Sequence, residues 1–429
     1  MKQKLVRGVR KVVPEGMVHH LEETYRRGRV RAVSARYGNP ARNLKVIAVT
    51  GTNGKTTTVN YLNEILKEAG FKTAMFSTAL IEVAGKAQLN DLNATVGTTA
   101  RMQQFFRDAK RAQVDYVVLE ITSHALHQHK LATVPIHMAI MTNLTQDHLD
   151  YHKTMDEYAS AKAKLFKGEP EFIVLNRDDE WFEYFDAFSA VNQKITYGTH
   201  EESEARIDYV KLYKKGSEAR VVIDHQTTLE LATALPGKFN VLNMTAAASA
   251  AYILGVNLND IVEGVANLEG VPGRFERVVE GLGYDVIVDY AHTPDALEKL
   301  LEAAKVVTKG RVILVFGATG DRDKGKRPIM GEIAGRNADR IMLTDDESYN
   351  EDPQAIREQV MSGIEQAGAG MKVTEFAERR DAIEKAISIA KKGDTILITG
   401  MGHEQYRIVN GERLPWNDGD VVREIVSQK

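Results

Sequence analysis

The chain of 429 residues contains no cysteine. Disulfides, thiolate zinc sites and thiol nucleophiles are therefore excluded, which agrees with a reducing compartment. It also lacks an excess of either charge: 56 Lys+Arg against 59 Asp+Glu leave a formal charge of −3. Backbone-driven nucleic-acid binding needs a strong basic excess, so no nucleic-acid partner is expected and any anion site must be local. Long apolar runs are missing as well. The longest, around Ala246 to Val256, falls far short of the roughly 20 residues of a membrane span. The N-terminal MKQKLVRGVRKVV is basic but has no apolar signal-peptide region, and a cytoplasmic protein, acting as a monomer, is expected. No internal repeat or low-complexity tract interrupts an ordinary globular composition, 43% hydrophobic and 27% charged.

What is present is an alternation of two patterns. Apolar runs at Leu44 to Thr50, Tyr116 to Ile121, Met138 to Thr142 and Phe172 to Leu175 are separated by amphipathic segments. Such runs suit strands buried on both faces. Thr56 to Ala69 sets Val59, Leu62, Ile65 and Leu66 on one helical face and stops at Gly70. The alternation predicts a parallel α/β sheet over 44–273. Between Ile195 and Leu235, shorter alternating strands at Ala219 to Ile223 and Thr228 to Leu231 predict a small antiparallel annex. After the turn-forming GVPGR at Gly270 to Arg274 a second series begins, with strands Val286 to Asp289, Arg311 to Phe316, Arg340 to Thr344 and Thr395 to Thr399 and a helix from Asp295. A boundary is expected there, with 274–429 a Rossmann-like α/β domain. Residues 1–43 read as a short basic extension. Leu5, Val9 and Val12 are spaced for one helical face, which fits a solvated helix or an anion or membrane-surface contact.

The first apolar strand runs into GTNGKTTT (Gly51 to Thr58) and then into a helix, the context that a phosphate-binding loop requires. Glycines let the backbone approach phosphates, Lys55 can reach the outer ones and Thr56 can ligate Mg²⁺. Gly51 and Gly54 enclose two residues where the usual loop has four, so ordinary Walker ATPases match poorly. Glu120 ends the strand VDYVVLE, at the sheet edge where ligands bind, and is a candidate Mg²⁺ ligand. TNLTQDHLDYH (Thr142 to His152) crowds Asp147, His148, Asp150 and His152 at the end of the next strand. His148 is taken as functional, and His152 as functional or structural. In YASAKAKLF, Lys162 and Lys164 lie among small and apolar residues, one of them on a solvated face.

The ordered set GTNGKTTT, LEITSHAL, TNLTQDHLDYH, YASAKAKLF, GKFNVLN, GVPGRFE, VDYAHTPDALEK, FGATGDRDKGKRPIMG and GMGHEQY resembles the Mur ligase family. Within it the resemblance is to the ligases that add the third residue of the peptidoglycan stem peptide, and it spans Leu44 to the C-terminus. It implies an ATP- and Mg²⁺-dependent amide ligase working through an acyl phosphate on small-molecule substrates. By motif position Gly51, Thr52, Asn53, Gly54, Lys55, Thr56 and Thr57 would cradle ATP. Thr56 and Glu120 would hold one Mg²⁺, and Glu120, His148 and a carbamylated Lys162 a second. Asn243, with Asn240 nearby, would approach adenine, Asp289 the ribose, and Arg274 the γ-phosphate from the hinge. The plainer readings are helix caps for the asparagines, a strand-end turn for Asp289 and a surface ion pair for Arg274. Thr98, Thr99, Thr122 and Lys130 fall where the family contacts the acceptor. Lys130 replaces a usual arginine, so bidentate anion contact is lost.

Two departures stand out. Relatives that use diaminopimelate carry Asp-Asn-Pro-Arg where this chain has Asp346, Glu347, Ser348 and Tyr349. The arginine partner of a second carboxylate is gone and an acid has arrived. A pocket with Asp346, Glu347 and Glu404 should favour a side-chain cation, hence L-lysine or L-ornithine over diaminopimelate. A solvated acidic turn is the plainer reading. Arg322 would bind the α-carboxylate, and Gly400 with Glu404 would line the pocket. The family's N-terminal uridine-binding domain is expected to be incomplete, since 43 residues precede Leu44. Folylpolyglutamate synthetase is an alternative whose loop and lysine motifs differ from these. A Mur-like substrate-binding subunit of an amidotransferase complex would carry a cysteine zinc ribbon, which this chain cannot form.

Overall fold

The computed structural model describes residues 15–90, 92, 95–409 and 411–428, with the side chains of 15–21 outside it. The expected helical face of Leu5, Val9 and Val12 lies outside the described residues. The first sheet is built from β1 (Lys45–Thr50), β2 (Thr73–Phe76), β3 (Leu80–Val83), β4 (Lys86–Leu89), β5 (Tyr116–Glu120) and β6 (Ile136–Met141). It continues through β7 (Phe172–Asn176), β8 (Gln193–Gly198), β9 (Ala205–Tyr213), β10 (Gly216–Ile223) and β11 (Thr227–Thr233). Their order across the sheet is β11-β10-β9-β8-β7-β6-β1-β5-β2-β3-β4.

The centre, β8-β7-β6-β1-β5-β2, is parallel, and each of its strands is apolar for the reason the sequence suggests: both faces are covered. In β1, Ile47 and Val49 enter one core while Val46 and Ala48 enter the other, the two-residue alternation of a strand. Helices Lys55–Glu68 and Lys238–Ile253 pack side by side on the first face. Ala246, Ala247, Ala248, Ala250 and Ala251, all fully buried, let the second helix lie close. The annex strands are antiparallel but extend the same sheet rather than forming a separate layer, because β9 joins β8 in parallel through two residue pairs.

The second sheet takes the order β12-β13-β17-β14-β15-β16. It comprises β12 (Glu276–Val279), β13 (Asp285–Asp289), β14 (Val312–Phe316), β15 (Arg340–Thr344), β16 (Val373–Phe376) and β17 (Thr395–Thr399), parallel except for the edge strand β12. The helix after β13 starts at Pro294, capped by the Thr293 hydroxyl, beside the expected Asp295. A final hairpin, β18 (Tyr406–Val409) and β19 (Glu412–Pro415), stands beside the loop that follows β15. Among the described residues no helix is long and apolar enough to cross a membrane.

Beneath the end of β17 lies a fully buried ion pair. Arg379 gives two hydrogen bonds to Asp418, at 2.8 and 2.7 Å, and a third to the Thr399 carbonyl at 2.7 Å. Trp416 supplies Asp418 with another donor at 2.8 Å. Removing one partner strands the other charge in a dry interior, so Arg379→Met is expected to lower stability by about 3–5 kcal/mol. Urea unfolding measures it. A loss below about 1 kcal/mol would mean that water reaches Asp418.

Candidate active site

The ends of β1, β5 and β6 meet at the phosphate loop, as parallel topology dictates. The loop is braced from β6: Thr52 N–H donates to the Asn143 carbonyl (2.8 Å), Asn53 N–H to the Asn143 side chain (2.9 Å), and Thr142 Oγ1 to the Asn53 carbonyl (2.6 Å). Gly54, at φ +84°, starts the helix, and a Cβ there would lie 2.2 Å from Asn243 Oδ1. Lys55 Nζ folds back onto the Thr52 carbonyl at 2.7 Å, and burial pushes its ammonium pKa down. Thr57 is buried at the first turn of the same helix.

Glu120 accepts three hydrogen bonds, from Thr56 Oγ1 (2.9 Å), Thr78 N–H (2.8 Å) and Thr78 Oγ1 (2.8 Å). The Thr56 hydroxyl and the Glu120 carboxylate are adjacent oxygen donors at a helix N-terminus, a donor set that fits Mg²⁺. Among the described residues no three His, Cys, Asp or Glu side chains converge as a ready-made metal cluster.

His148 sits at left-handed φ 56°, its Nε2 3.3 Å from Asp147. Asp147 is buried, and burial opposes its charge; the Lys326 ammonium at 3.2 Å leads the neighbours that hold its carboxyl well below the usual carboxylate range. Burial pushes His148 well down and His292 down to about 4. Lys162 is fully buried, its amine donating to the Gly51 carbonyl at 2.6 Å and lying 4.6 Å over the Tyr158 ring. Burial and then Lys55 drive its pKa well down. Lys164 is the partner of Glu23 at 3.0 Å, on the helix Glu15–Arg36, and belongs to the scaffold. His152, stacked on Tyr158 and bonded to Ser123 at 2.9 Å, is likewise structural in its contacts.

The second sheet presents its own strand ends to this loop across a cleft of about 1020 Å³. Arg274 reaches Thr56 Oγ1 at 3.0 Å, so it crosses the cleft rather than forming a surface ion pair. Asp289 accepts the N–H groups of Phe275 (2.7 Å) and Ala291 (2.8 Å), and burial raises its pKa. Asn240 and Asn243 lie within the helix Lys238–Ile253, whose N-cap is Gly237; neither caps it. Further bridges were not foreseen: Asn53 to Asp295 (2.8 Å), Gln146 to Asp323 (3.1 Å), Lys326 to Asp147, and His403 Nε2 to the Thr78 carbonyl (2.9 Å). Lys326 and His403 stand inside motifs singled out in the sequence, whereas Thr78 carries no local signal.

On the acceptor side Thr122 and Lys130 line the cleft; Thr98 and Thr99 do not. Thr98 and Thr122 cap the helices Thr99–Arg111 and Ser123–His127, and Lys130 donates to the Gly97 carbonyl at 2.5 Å. Arg322 lines the cleft and lies 5.1 Å over the Tyr349 ring. Asp346, Glu347 and Glu404 are buried and do not line that cleft, and half-buried Gly400 lies against Asp346. The sequence reading groups the three acids in one cation-favouring pocket; in the structure their contacts differ. Glu347 accepts from Tyr349 Oη (3.0 Å) and Ile408 N–H (3.1 Å), tying its loop to β18. Asp346 is wedged under Gly400, where a Cβ would come within 2.3 Å of it. Glu404 is raised to about 7 by burial and Glu347.

A phosphate loop, an acid and a buried lysine on one sheet, facing an arginine arm and an acid-lined recess on another, define a two-lobed ATP-dependent ligase. Comparison with known proteins gives the family. The Mur ligase middle-domain profile matches residues 49–251, and the profile "Mur ligase, glutamate ligase domain" matches 273–402. A Clostridium botulinum protein named UDP-N-acetylmuramoyl-L-alanyl-D-glutamate--2,6-diaminopimelate ligase is 38% identical over 91% of this chain and 80% of its own length. One of the same name from Geobacillus thermodenitrificans is 39% identical over 94% and 83%. A solved structure of a ligase of that name aligns with TM-score 0.62 at 32% identity, covering 93% of this chain and 81% of its own. Mycobacterium tuberculosis folylpolyglutamate synthase shares the fold, with TM-score 0.71 at 19% identity over 90% and 95%. The chain belongs to the Mur ligase family of ATP-dependent, ADP-forming ligases.

Gly54→Ala is expected to weaken ADP binding about tenfold or more, because the new methyl group collides with Asn243 and strains the left-handed turn. Titration calorimetry on folded protein checks it. Unchanged affinity would mean that the loop yields without cost.

Proposed function

We propose that this protein joins L-lysine or L-ornithine, in preference to meso-diaminopimelate, to the D-glutamyl carboxylate of UDP-N-acetylmuramyl-L-alanyl-D-glutamate in the cytoplasm, a step of peptidoglycan synthesis. The observation that carries the reaction is the convergence of Lys55, Thr56, Glu120, Lys162 and Arg274 on one loop. The reaction's main obstacle is repulsion between an anionic carboxylate and an anionic phosphate. In this reading Lys55 and Arg274 flank the γ-phosphate from opposite lobes while a carboxylate oxygen attacks phosphorus and ADP departs. The incoming amine then adds to the acyl phosphate, loses a proton, and the tetrahedral adduct collapses to amide and phosphate. Asn243 and Asp289 line the cleft where adenine and ribose would lie.

Thr56 and Glu120 would hold one Mg²⁺, and Glu120, His148 and Lys162 a second, whose chemistry is to offset the gathered negative charge. Lys162 suits carbamylation: its amine is fully buried and faces a carbonyl rather than an acid. A neutral amine adding to CO₂ and losing a proton would turn it into an oxygen donor. The amino-acid preference rests on Tyr349, which stands where relatives using diaminopimelate carry arginine, and on the buried carboxylate of Glu404 beside it. The cited relatives are named for diaminopimelate, so this reading departs from them at one subsite. Glutamate addition to a folate draws only on the shared fold of folylpolyglutamate synthase.

Phosphate release from ATP and Mg²⁺ with the muramyl dipeptide and each of lysine, ornithine and diaminopimelate, followed by mass spectrometry, tests the reading. Product with lysine or ornithine is expected; product only with diaminopimelate would reverse the specificity, and silence with all three would remove the acceptor. Tyr349→Arg should raise the diaminopimelate-to-lysine ratio of kcat/KM about tenfold or more, and an unchanged ratio would defeat the charge argument. Lys162→Ala should lose most turnover and recover part of it with bicarbonate or short carboxylic acids. Full turnover without them would end the carbamate proposal.

A further inference from the structure

Tyr290 occupies the junction between the hinge, the γ-phosphate arm and the buried carboxylate of Glu404. Its ring meets His292 and His403, with centroids 4.8 and 5.4 Å away, and four further contacts tie it to the hinge and to Glu404. Its backbone N–H donates to the Gly273 carbonyl at 2.9 Å, immediately before Arg274. Its ring lies under the Arg274 guanidinium at 4.5 Å, a cation–π arrangement. Its other side meets Gly402 so closely that a Cβ on Gly402 would fall 2.9 Å from Tyr290 Cβ and 3.0 Å from Cδ2. Its hydroxyl donates to Glu404 Oε1 at 3.4 Å. Gly273 in turn abuts the next residue of that loop: a Cβ on it would lie 2.3 Å from His403 N. The junction is closely packed at Gly273 and Gly402, and through Tyr290 the Arg274 guanidinium on one side is linked to Glu404 on the other.

We propose that Tyr290 is the positioning residue that couples the γ-phosphate arm Arg274 to the carboxylate of Glu404, so that the site for the amino acid's side-chain ammonium is set by the same contacts that seat ATP. This rests on the reading that Glu404 receives the amino acid's cation. The coupling has a chemical purpose. An acyl phosphate is prone to hydrolysis, and an anchor for the side-chain ammonium that forms only in the closed arrangement admits the amino acid, and with it the attacking amine, while bulk water is excluded. The hydroxyl and the ring have separable tasks, one on each side of the junction.

The groups facing Glu404 are Glu347 and Asp346 from the loop after β15, Arg274 from the hinge, and Tyr290. Burial and the two acids raise its pKa, while Tyr290 and Arg274 lower it. Amine binding needs the carboxylate, so the KM for the amino acid should fall as pH rises through about 7. Without the tyrosine donor the fall should occur at higher pH.

Steady-state kinetics with lysine, across pH, would compare wild type, Tyr290→Phe, Tyr290→Leu, Glu404→Gln and the double variant Tyr290→Phe/Glu404→Gln. Tyr290→Phe should raise the lysine KM about tenfold, shift its pH profile upward and leave the ATP KM within about twofold. Tyr290→Leu, which also removes the ring, should in addition weaken binding of a non-hydrolysable ATP analogue about tenfold by calorimetry. The double variant should match Glu404→Gln alone, with no pH dependence left in this range. An unshifted profile in Tyr290→Phe, or effects that add in the double variant, would overturn the coupling while wild-type turnover upheld the reaction. Absence of wild-type turnover with lysine would overturn the reading of Glu404 and the coupling with it.

Discussion

The hydroxyl of Thr56 is the point on which the two halves of the molecule agree. On one side it donates to Glu120 at 2.9 Å; on the other it receives Arg274 at 3.0 Å. One small side chain thus fixes a carboxylate from β5 and a guanidinium from the hinge. The rest of the architecture serves that meeting. The parallel sheet delivers Thr56 and Glu120 from neighbouring strand ends, since β1 and β5 are in register with Val49 opposite Glu120. Thr78, from the turn after β2, gives Glu120 two more hydrogen bonds, and its own carbonyl takes His403 from the second lobe. Acid, hydroxyl and closure are one connected network.

A second network carries the closure at the opposite rim. Asp147 and Lys326 are both nearly excluded from water, and a buried pair of this kind contributes more to fixing an arrangement than to net stability, because desolvation offsets most of the attraction. His148 and His292 lean on the same carboxylate. The consequence is a lobe interface with definite geometry made from few residues, and one whose partners lie next to the chemistry. The contacts that join the lobes thus draw on residues of the candidate site itself, which would suit a reaction that must exclude water while two anions are brought together.

How much of this was legible in the sequence follows from the range of each interaction. The phosphate loop was legible because its parts are consecutive: strand, glycine turn and helix N-terminus are dictated within a dozen residues. The double apolar alternation of β1 likewise announced two covered faces. The annex was legible as antiparallel strands, but its union with the main sheet was not, because two residue pairs between β8 and β9 decide it. The hairpin of β3 and β4 passed unnoticed, as β4 is short and exposed along its whole length. The contacts across the cleft were the hardest: Lys326 and Asp147 are 179 residues apart, and His403 and Thr78 are 325 apart. Only topology brings such pairs together, although three of the four stand within segments that the sequence singles out.

The acidic recess shows why residue type alone underdetermines a site. Asp346, Glu347 and Glu404 read in sequence as three equivalent carboxylates awaiting a cation. In the folded chain Glu347 spends its oxygens on Tyr349 and on the backbone of β18, and so becomes part of the wall. Asp346 lies beneath Gly400, over the buried pair of Arg379 and Asp418, where burial and Asp418 raise its pKa and Arg379 lowers it. That leaves Glu404, held near neutrality by burial and by the acids around it, as the group able to change charge when an amine arrives. A carboxylate in that condition is a better discriminator than three free ones. In the proposed reading it would bind little where it is protonated, and a nearby ammonium ion would favour its charged form. On that reading, selection for a cationic side chain would rest on the environment of this one acid, with an uncharged Tyr349 rather than a second cation beside it.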